Sequence, residues 1–362
     1  MRIVVFGLAI SSSWGNGHAT LWRGLAKALG RRGHHVTFFE RDVPYYAQNR
    51  DLHDLPGDGL VLYPEWETVK ARAKREVADA DVALVTSYCP DATAAEALVL
   101  DAPRAVRLFY DLDTPVTLAS LESEAFPAYV GPRGFVDYDL VLSYTGGRAL
   151  DALRTRLGAR RVAPLYGHAD PDPHRPVPAE GRFASALSYL GTYAADRQRS
   201  LEALFVEPAR ARPQSRFMIG GTQYPQDFPW TDNIFFARHL PPSEHPAFFC
   251  SGRMTLNVTR AAMAALGYCP SGRLFEAAAC GTAILSDDWE GLDSFFVPGQ
   301  EILLAGSTAD SVAALDLSDA EVARVARAGR ERVLAQHTSA RRAADFEAAV
   351  EVARSAPAEG MA

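Results

Sequence analysis

Two kinds of apolar spacing alternate along the chain. Short unbroken runs rich in Val, Ile, Leu and Phe stand at residues 2–8, 36–39, 82–86, 104–110 and 140–143. Between them apolar residues recur every three or four positions, as at Leu21, Leu25, Ala28 and Leu29. Strands apolar on both faces belong in a parallel sheet covered by helices on both sides, and the second spacing supplies those helices. The pattern predicts helices over 19–31, 69–78 and 92–100, and another ending near Leu157. Residues 164–178 then hold five prolines and no period, the mark of a linker. Beyond it the alternation resumes. Strands are expected at 185–191, 217–220, 235–240, 282–285 and 302–305, and helices after the turn Thr192–Arg197 through about Val206, from Ser271 to Gly281, over 320–336 and over 340–354. The expected fold class is α/β with two Rossmann-like windings, the faces of the last two helices solvated and the tail from Ser355 disordered.

Composition narrows this picture. A length of 362 residues suits two domains. With 48% hydrophobic and 22% charged residues and a formal net charge of −7, nothing in the overall electrostatics calls for nucleic acid. Cys89, Cys250, Cys269 and Cys280 have no CxxC spacing and read as reduced core thiols of a cytoplasmic protein. The opening MRIVVFGLAI lacks a cleavage region and is far shorter than the ~20 residues that span a bilayer, so it reads as the first strand. No internal repeat, heptad series or HExxH spacing is present.

Candidate chemistry lies where strands give way to loops. Gly15, Asn16, Gly17 and His18 lead from the first strand into a helix, where backbone N–H groups and the helix dipole favour an anion; a tight structural turn is the other reading. Asp111 and Asp113 follow the strand that ends at Tyr110, and Asp before Thr-Pro is also an ordinary turn opener. Gly191, Thr192 and Arg197 form a strand-to-helix turn with a cation six residues after the glycine. Pro270 and Ser271 open a helix through Gly272 and Arg273 in which Glu276 sits among small apolar residues, and a carboxylate there needs a partner. A surface helix with an ordinary Arg273–Glu276 pair is the alternative. His168 and His174, lone linker histidines, are expected in solvent.

The order Pro-Ser-x-Arg-x-Phe-Glu-Ala-x-Ala-Cys-Gly from Pro270, followed by a short strand and Asp-x-Trp-x-Gly-Leu, resembles the CgeB-type (spore-maturation-like) glycosyltransferases, relatives of the retaining glycogen and sucrose synthase enzymes. The resemblance implies a GT-B fold, two facing Rossmann-like domains with the active site in the cleft between them. It assigns residues 1–168 to an acceptor-side domain, 169–340 to a nucleotide-sugar domain, and 341–362 to a helix and tail packing back on the first domain. It implies that Glu276 grips the donor ribose, that Arg197 binds the diphosphate, and that Arg273, Ser271, Gly272, Gly191, Thr192, Tyr268 and Asn257 line the donor site. Tyr268 stands eight residues before Glu276, where the wider family has a first glutamate. Gly15, Asn16, Gly17 and His18 then line the cleft, and Asp113 takes the place of a family histidine near the reacting sugar, so His18 and Asp113 are the catalytic candidates. The implied reaction is metal-independent, retaining transfer from a nucleoside diphosphate sugar to an unidentified acceptor, with no cofactor. An epimerase acting on the donor alone and a catalytically silent binding protein are the rival readings.

Overall fold

A computed structural model describes residues 1–123 and 126–355 of the chain. The chain divides into two compact units, Met1–Tyr166 together with the segment beginning at Ser339, and Gly167–Thr338. No helix among the described residues is long and apolar enough to cross a membrane.

The first unit is built on seven parallel strands, β1 (Arg2–Gly7), β2 (His35–Arg41), β3 (Leu60–Tyr63), β4 (Val82–Thr86), β5 (Val106–Asp111), β6 (Leu140–Ser143) and β7 (Val162–Pro164). Their order is β3-β2-β1-β4-β5-β6-β7. The winding reverses between β1 and β4, so the loops leaving those two strands diverge and open a crevice at their carboxyl ends. Every residue of β4 is buried, as a strand with helices on both faces requires. Trp22, on the helix Gly17–Arg31, packs edge-on to Phe38 and Tyr110, with ring centroids 5.6 and 5.9 Å away. The helix Ser339–Ser355 adds Phe346 and Val350 to the same core, and its Glu347 pairs with Arg32 at 2.5 Å. Its polar face is less solvated than the sequence suggests. Arg342 is buried, its Nε donating to the Tyr166 carbonyl at 3.2 Å and its Nη1 to Asp345 at 2.9 Å. The helix ends at Ser355, and the rest of the tail expected to be disordered lies outside the described residues.

In the second unit β8 (Leu187–Leu190), β9 (Phe217–Gly221), β10 (Ile234–Arg238), β11 (Met254–Asn257), β12 (Ala283–Ser286) and β13 (Leu303–Leu304) form a parallel sheet in the order β10-β9-β8-β11-β12-β13. Here the winding reverses between β8 and β11. The helix Asp319–Gln336 starts with a capping box between Ser318 and Glu321. The proline-rich stretch after Gly167 is part of this unit rather than a solvated tether: Ala169 bridges to Thr338, and His168 and His174 are 7% and 3% exposed. The expectation of solvated linker histidines is therefore wrong. The prolines set an irregular path that is packed against the unit, and irregular backbone is compatible with burial wherever side chains supply the contacts.

Candidate functional site

In the first unit the polar residues gather where β1, β4 and β5 end. The loop after β1 is pinned by Glu40, a fully buried carboxylate of β2 that accepts from the backbone N–H of Ile10 (2.7 Å) and Ser11 (2.9 Å) and from the Ser11 hydroxyl (2.5 Å). Asn16 is the helix N-cap, its Oδ1 accepting from the His18 N–H at 3.0 Å and its amide donating to the Ala9 carbonyl at 3.3 Å. Gly15 has φ +58°, and a Cβ there would meet the Tyr45 hydroxyl at 2.9 Å. Nothing lies within 4 Å of a Cβ placed on Gly17. His18 Nδ1 is buried without a partner, and burial pushes the ring's pKa down to about 4, so the imidazole is neutral at physiological pH.

Tyr88, which the sequence did not single out, links the two catalytic candidates. It follows β4 with φ +62°, a conformation a bulky residue adopts only when its surroundings hold it there. Its ring lies 5.7 Å from that of His18, and its hydroxyl donates to Asp113 Oδ2 at 3.1 Å. The two acids after β5 have separate environments. Asp111 is fully buried; its Oδ1 accepts from the Asp113 N–H (3.2 Å) and the Thr117 hydroxyl (2.9 Å), while Oδ2 has no partner, and burial raises its pKa to about 7. Asp113 is only partly buried and carries its carboxylate to the Tyr88 hydroxyl.

In the second unit the carboxyl ends of β8 and β11 bring two cations to one turn. Arg273 donates to Asn257 Oδ1 at 3.0 Å and lies over the Tyr189 ring at 5.1 Å. A Cβ on Gly191 would come within 2.9 Å of Arg273 Nη2, so the glycine makes room for the guanidinium. Arg197 donates from Nη2 to the Thr192 carbonyl, and its buried Nε has no partner. Tyr224 completes the group, its hydroxyl donating to the Gly191 carbonyl at 3.2 Å. Burial lowers the pKa of Arg273, and the charge of Arg197 lowers it further. Neither arginine forms an ion pair with a carboxylate among the described residues, and the ordinary Arg273–Glu276 pair does not form. Asn257 is held by its amide, which donates to the Ser286 hydroxyl (3.1 Å) and the Thr259 hydroxyl (3.3 Å), and Thr259 in turn donates to Asp287. Ser271 is the N-cap of the helix Gly272–Ala279 and makes no side-chain cap bond, while its carbonyl accepts from the Leu274 N–H at 3.1 Å.

Glu276, one turn further along, accepts no hydrogen bond from the described residues, and His174 Nε2 lies 3.9 Å from its Oε1. Tyr268 has φ +47° and donates its N–H to the Glu290 carbonyl at 2.7 Å, with its ring so close to Gly291 that a Cβ there would sit 2.5 Å from Cδ1. The structure therefore brings Gly191, Thr192, Arg197, Asn257, Ser271, Gly272 and Arg273 into one cluster of contacts at these strand ends. Tyr189, Tyr224 and Asp287 belong with them. Strand-end tyrosines look like core residues in a sequence, and only the strand order brings them to the arginines.

Residues 197–348 match the family model described as glycosyl transferase-like. A search of curated proteins gave no match. Among solved structures the chain is similar to a sucrose-phosphate synthase from Thermosynechococcus elongatus, with 14% identity, 97% of this chain and 98% of that one covered, and a TM-score of 0.66. It is similar to HepE of Anabaena in complex with UDP and glucose, with 11% identity, 97% and 100% covered, and a TM-score of 0.64. A third is an alpha-glucosyltransferase in complex with UDP-glucose and DNA, with 12% identity, 97% and 99% covered, and a TM-score of 0.68. At such identities the likeness establishes the fold, α/β with two Rossmann-like units of the GT-B type.

Proposed function

We propose that this chain is a glycosyltransferase that moves a sugar from a nucleoside diphosphate sugar to an acceptor hydroxyl, with the donor held by the second unit and acceptor-side chemistry supplied by the first. The observation that carries this reading is the pair Arg197 and Arg273 beside the Gly191 turn, two cations with no carboxylate at ion-pair distance among the described residues, Glu276 acting on Arg273 only from farther away. A diphosphate supplies the missing negative charge, and arginine forks match its oxygens. Because charge builds on the diphosphate as the sugar leaves, the same contacts strengthen in the transition state. Arg197, Arg273 and the dipole of the helix Gly272–Ala279 do the work a divalent ion would otherwise do, so the transfer runs without metal and without a cofactor.

Glu276 accepts from the ribose hydroxyls, for which its unbonded carboxylate is suited. On the acceptor side, neutral His18 with its bare Nδ1 and Asp113 with its Tyr88 contact are the groups able to take the acceptor proton. Retention of configuration, on the resemblance to CgeB-type enzymes, and a cytoplasmic location, on the spacing of the cysteines, complete the reading.

The test incubates the purified protein with UDP-, GDP-, ADP- and dTDP-sugars, with and without acceptor candidates, in the presence of EDTA. Nucleoside diphosphate released only with acceptor supports transfer. A changed sugar without release would mean an epimerase, and neither binding nor turnover with any donor would mean a silent protein. Replacing Glu276 with Ala should weaken nucleoside diphosphate binding by about 1–3 kcal/mol, the worth of hydrogen bonds to a charged acceptor. Full affinity in that variant would remove Glu276 from the ribose site.

A further inference from the structure

His174, His245 and Glu276 come from three separate segments of the second unit: the proline-rich stretch, the first residue of the helix His245–Ser251, and the helix Gly272–Ala279. One ring nitrogen from each histidine and one carboxylate oxygen lie within 4.8 Å of one another, and His174 Nε2 is 3.9 Å from Glu276 Oε1. We infer that these three side chains form a binding site for one transition-metal ion of the Zn2+ type, and that the ion competes with the donor nucleotide for Glu276. The second half of this inference rests on the ribose role proposed for Glu276; the first half does not.

The hydrogen bonding around the rings favours a metal over a simple ion pair. His245 Nε2 lies 3.2 Å from the Leu240 carbonyl, which can only accept, so Nε2 carries the proton and Nδ1 is a bare lone pair. That Nδ1 is buried and receives no hydrogen bond. A ring whose far nitrogen donates to a backbone carbonyl is the arrangement that fixes a metal-binding imidazole. His174, 3% exposed, turns Nε2 toward Glu276 and has a buried Nδ1 without a partner, so each of the two enclosed imidazoles keeps a nitrogen that the protein does not satisfy itself.

The donor set decides the class of ion. Two nitrogens and one oxygen suit zinc and its neighbours, whereas calcium and magnesium take oxygen ligands. Metal–ligand bonds of about 2.0–2.1 Å place tetrahedral ligands roughly 3.3 Å apart. His174 and Glu276 therefore need to close by roughly 0.6 Å, and a pair at the 4.8 Å limit by about 1.5 Å, within the reach of side-chain χ adjustments. Glu276 keeps 15% of its side chain exposed, which leaves a fourth position open to water. An oxygen engaged by the ion is no longer available to ribose hydroxyls.

The experiment titrates ZnCl2 into chelator-treated full-length protein by calorimetry, with wild type, His174→Phe, His245→Phe and Cys250→Ala compared, and circular dichroism used to confirm that each variant is folded. Phenylalanine keeps an aromatic ring and removes the ligand. The expected result is one ion per wild-type chain, with affinity falling at least about tenfold in each histidine variant and little changed in Cys250→Ala. The nucleoside diphosphate that binds most tightly among UDP, GDP, ADP and dTDP is then titrated at fixed free zinc. At ten times the zinc dissociation constant its apparent Kd should rise about elevenfold in wild type, and not in His245→Phe. No stoichiometric zinc binding, or binding lost only in Cys250→Ala, overturns the metal site and leaves the nucleotide reading standing. Zinc bound through the histidines with unchanged nucleotide affinity overturns the competition and, with it, the ribose role of Glu276. Equal zinc sensitivity in His245→Phe traces the effect to a metal–nucleotide complex and overturns the competition as well.

Discussion

The arginine pair makes a prediction that separates diphosphate recognition from everything else a nucleotide touches. Arg273→Gln keeps a side-chain amide within reach of Asn257 Oδ1, now 3.0 Å from the guanidinium, and removes the charge and the fork. A hydrogen bond to a charged group is worth about 1.5–3 kcal/mol, which corresponds to roughly 10- to 150-fold in Kd. A nucleoside monophosphate shares base, ribose and first phosphate with its diphosphate. The ratio of their dissociation constants therefore isolates the second phosphate. Calorimetry on wild type should show the diphosphate bound more tightly, and in Arg273→Gln that ratio should collapse by one to two orders of magnitude, chiefly through weaker diphosphate binding. Arg273→Lys keeps a point charge without the planar fork and should fall between the two. Partial misfolding lowers both affinities and leaves the ratio alone, so it cannot imitate the result. A ratio in Arg273→Gln within a factor of two of wild type would refute the reasoning, since a cation held 2.9 Å from the glycine's missing Cβ would then have no part in binding the phosphates.

Three further outcomes follow from the same geometry. Arg197→Ala should reduce turnover more than donor affinity, because its contact grows as charge moves onto the leaving diphosphate; steady-state kinetics with unchanged kcat would sink that role. Asp113→Asn should lose transfer while nucleotide binding by calorimetry is retained, since an amide cannot take the acceptor proton, and wild-type transfer would return Asp113 to a turn residue. Asp111, with its pKa raised from an ordinary 3.8 to about 7, is protonated in the folded chain and ionised in the unfolded chain between those values. Its contribution is thus fully present at low pH and is lost as pH rises toward 7, by roughly 1.4 kcal/mol per unit. Urea unfolding of wild type against Asp111→Asn should show the difference shrinking or reversing in favour of the variant from pH 4 to 7, and a pH-independent difference would refute the buried, protonated assignment.

The two windings were legible because buried parallel strands are apolar on both faces, as in β1, β4 and β5, and runs this short and rich in β-branched and aromatic residues favour strand over buried helix. β3, β7 and β11 were missed: β7 ends in a proline that only an edge strand tolerates, and the Thr and Asn of β11, both buried, break its apolar run. The Gly191 turn and the helix carrying Glu276 could be read locally, since glycine spacing and capping are properties of neighbouring residues. Glu40 could not. In sequence it is a charge at the end of a strand, and only the pairing of β1 with β2, which sets Gly7 opposite Glu40, shows that it holds the loop before His18. Tyr88, Tyr224 and Asp287 were hidden for the same reason: each acts through a partner at least 25 residues away in sequence, brought near by strand order. His174 was misread because proline-rich composition was taken to mean exposure.

Part of what the fold leaves unsatisfied gathers at the ends of strands. Tyr88 and Gln223, both with positive φ, follow the carboxyl ends of β4 and β9, and Tyr268 lies just before the helix that carries Arg273. His18 Nδ1, Asp111 Oδ2 and Arg197 Nε, all buried without partners, belong to the loops after β1, β5 and β8. A non-glycine residue in the left-handed region costs of order 1–3 kcal/mol, and an unpaired buried polar atom a similar amount. Several such terms would consume a large share of the 5–15 kcal/mol by which a domain is ordinarily stable, so they persist only where surrounding contacts fix them. Glu40, with three donors from the loop it holds, and Asp287, with Thr259 and Ser286 around it, are those contacts. Rigid support beneath and unmet valence above is the arrangement of a preorganised site, in which a ligand completes bonds the protein has already oriented. It follows that a nucleoside diphosphate should stabilise the second unit by more than its phosphate contacts alone would suggest, because it also removes the repulsion between Arg197 and Arg273 that the unliganded chain retains.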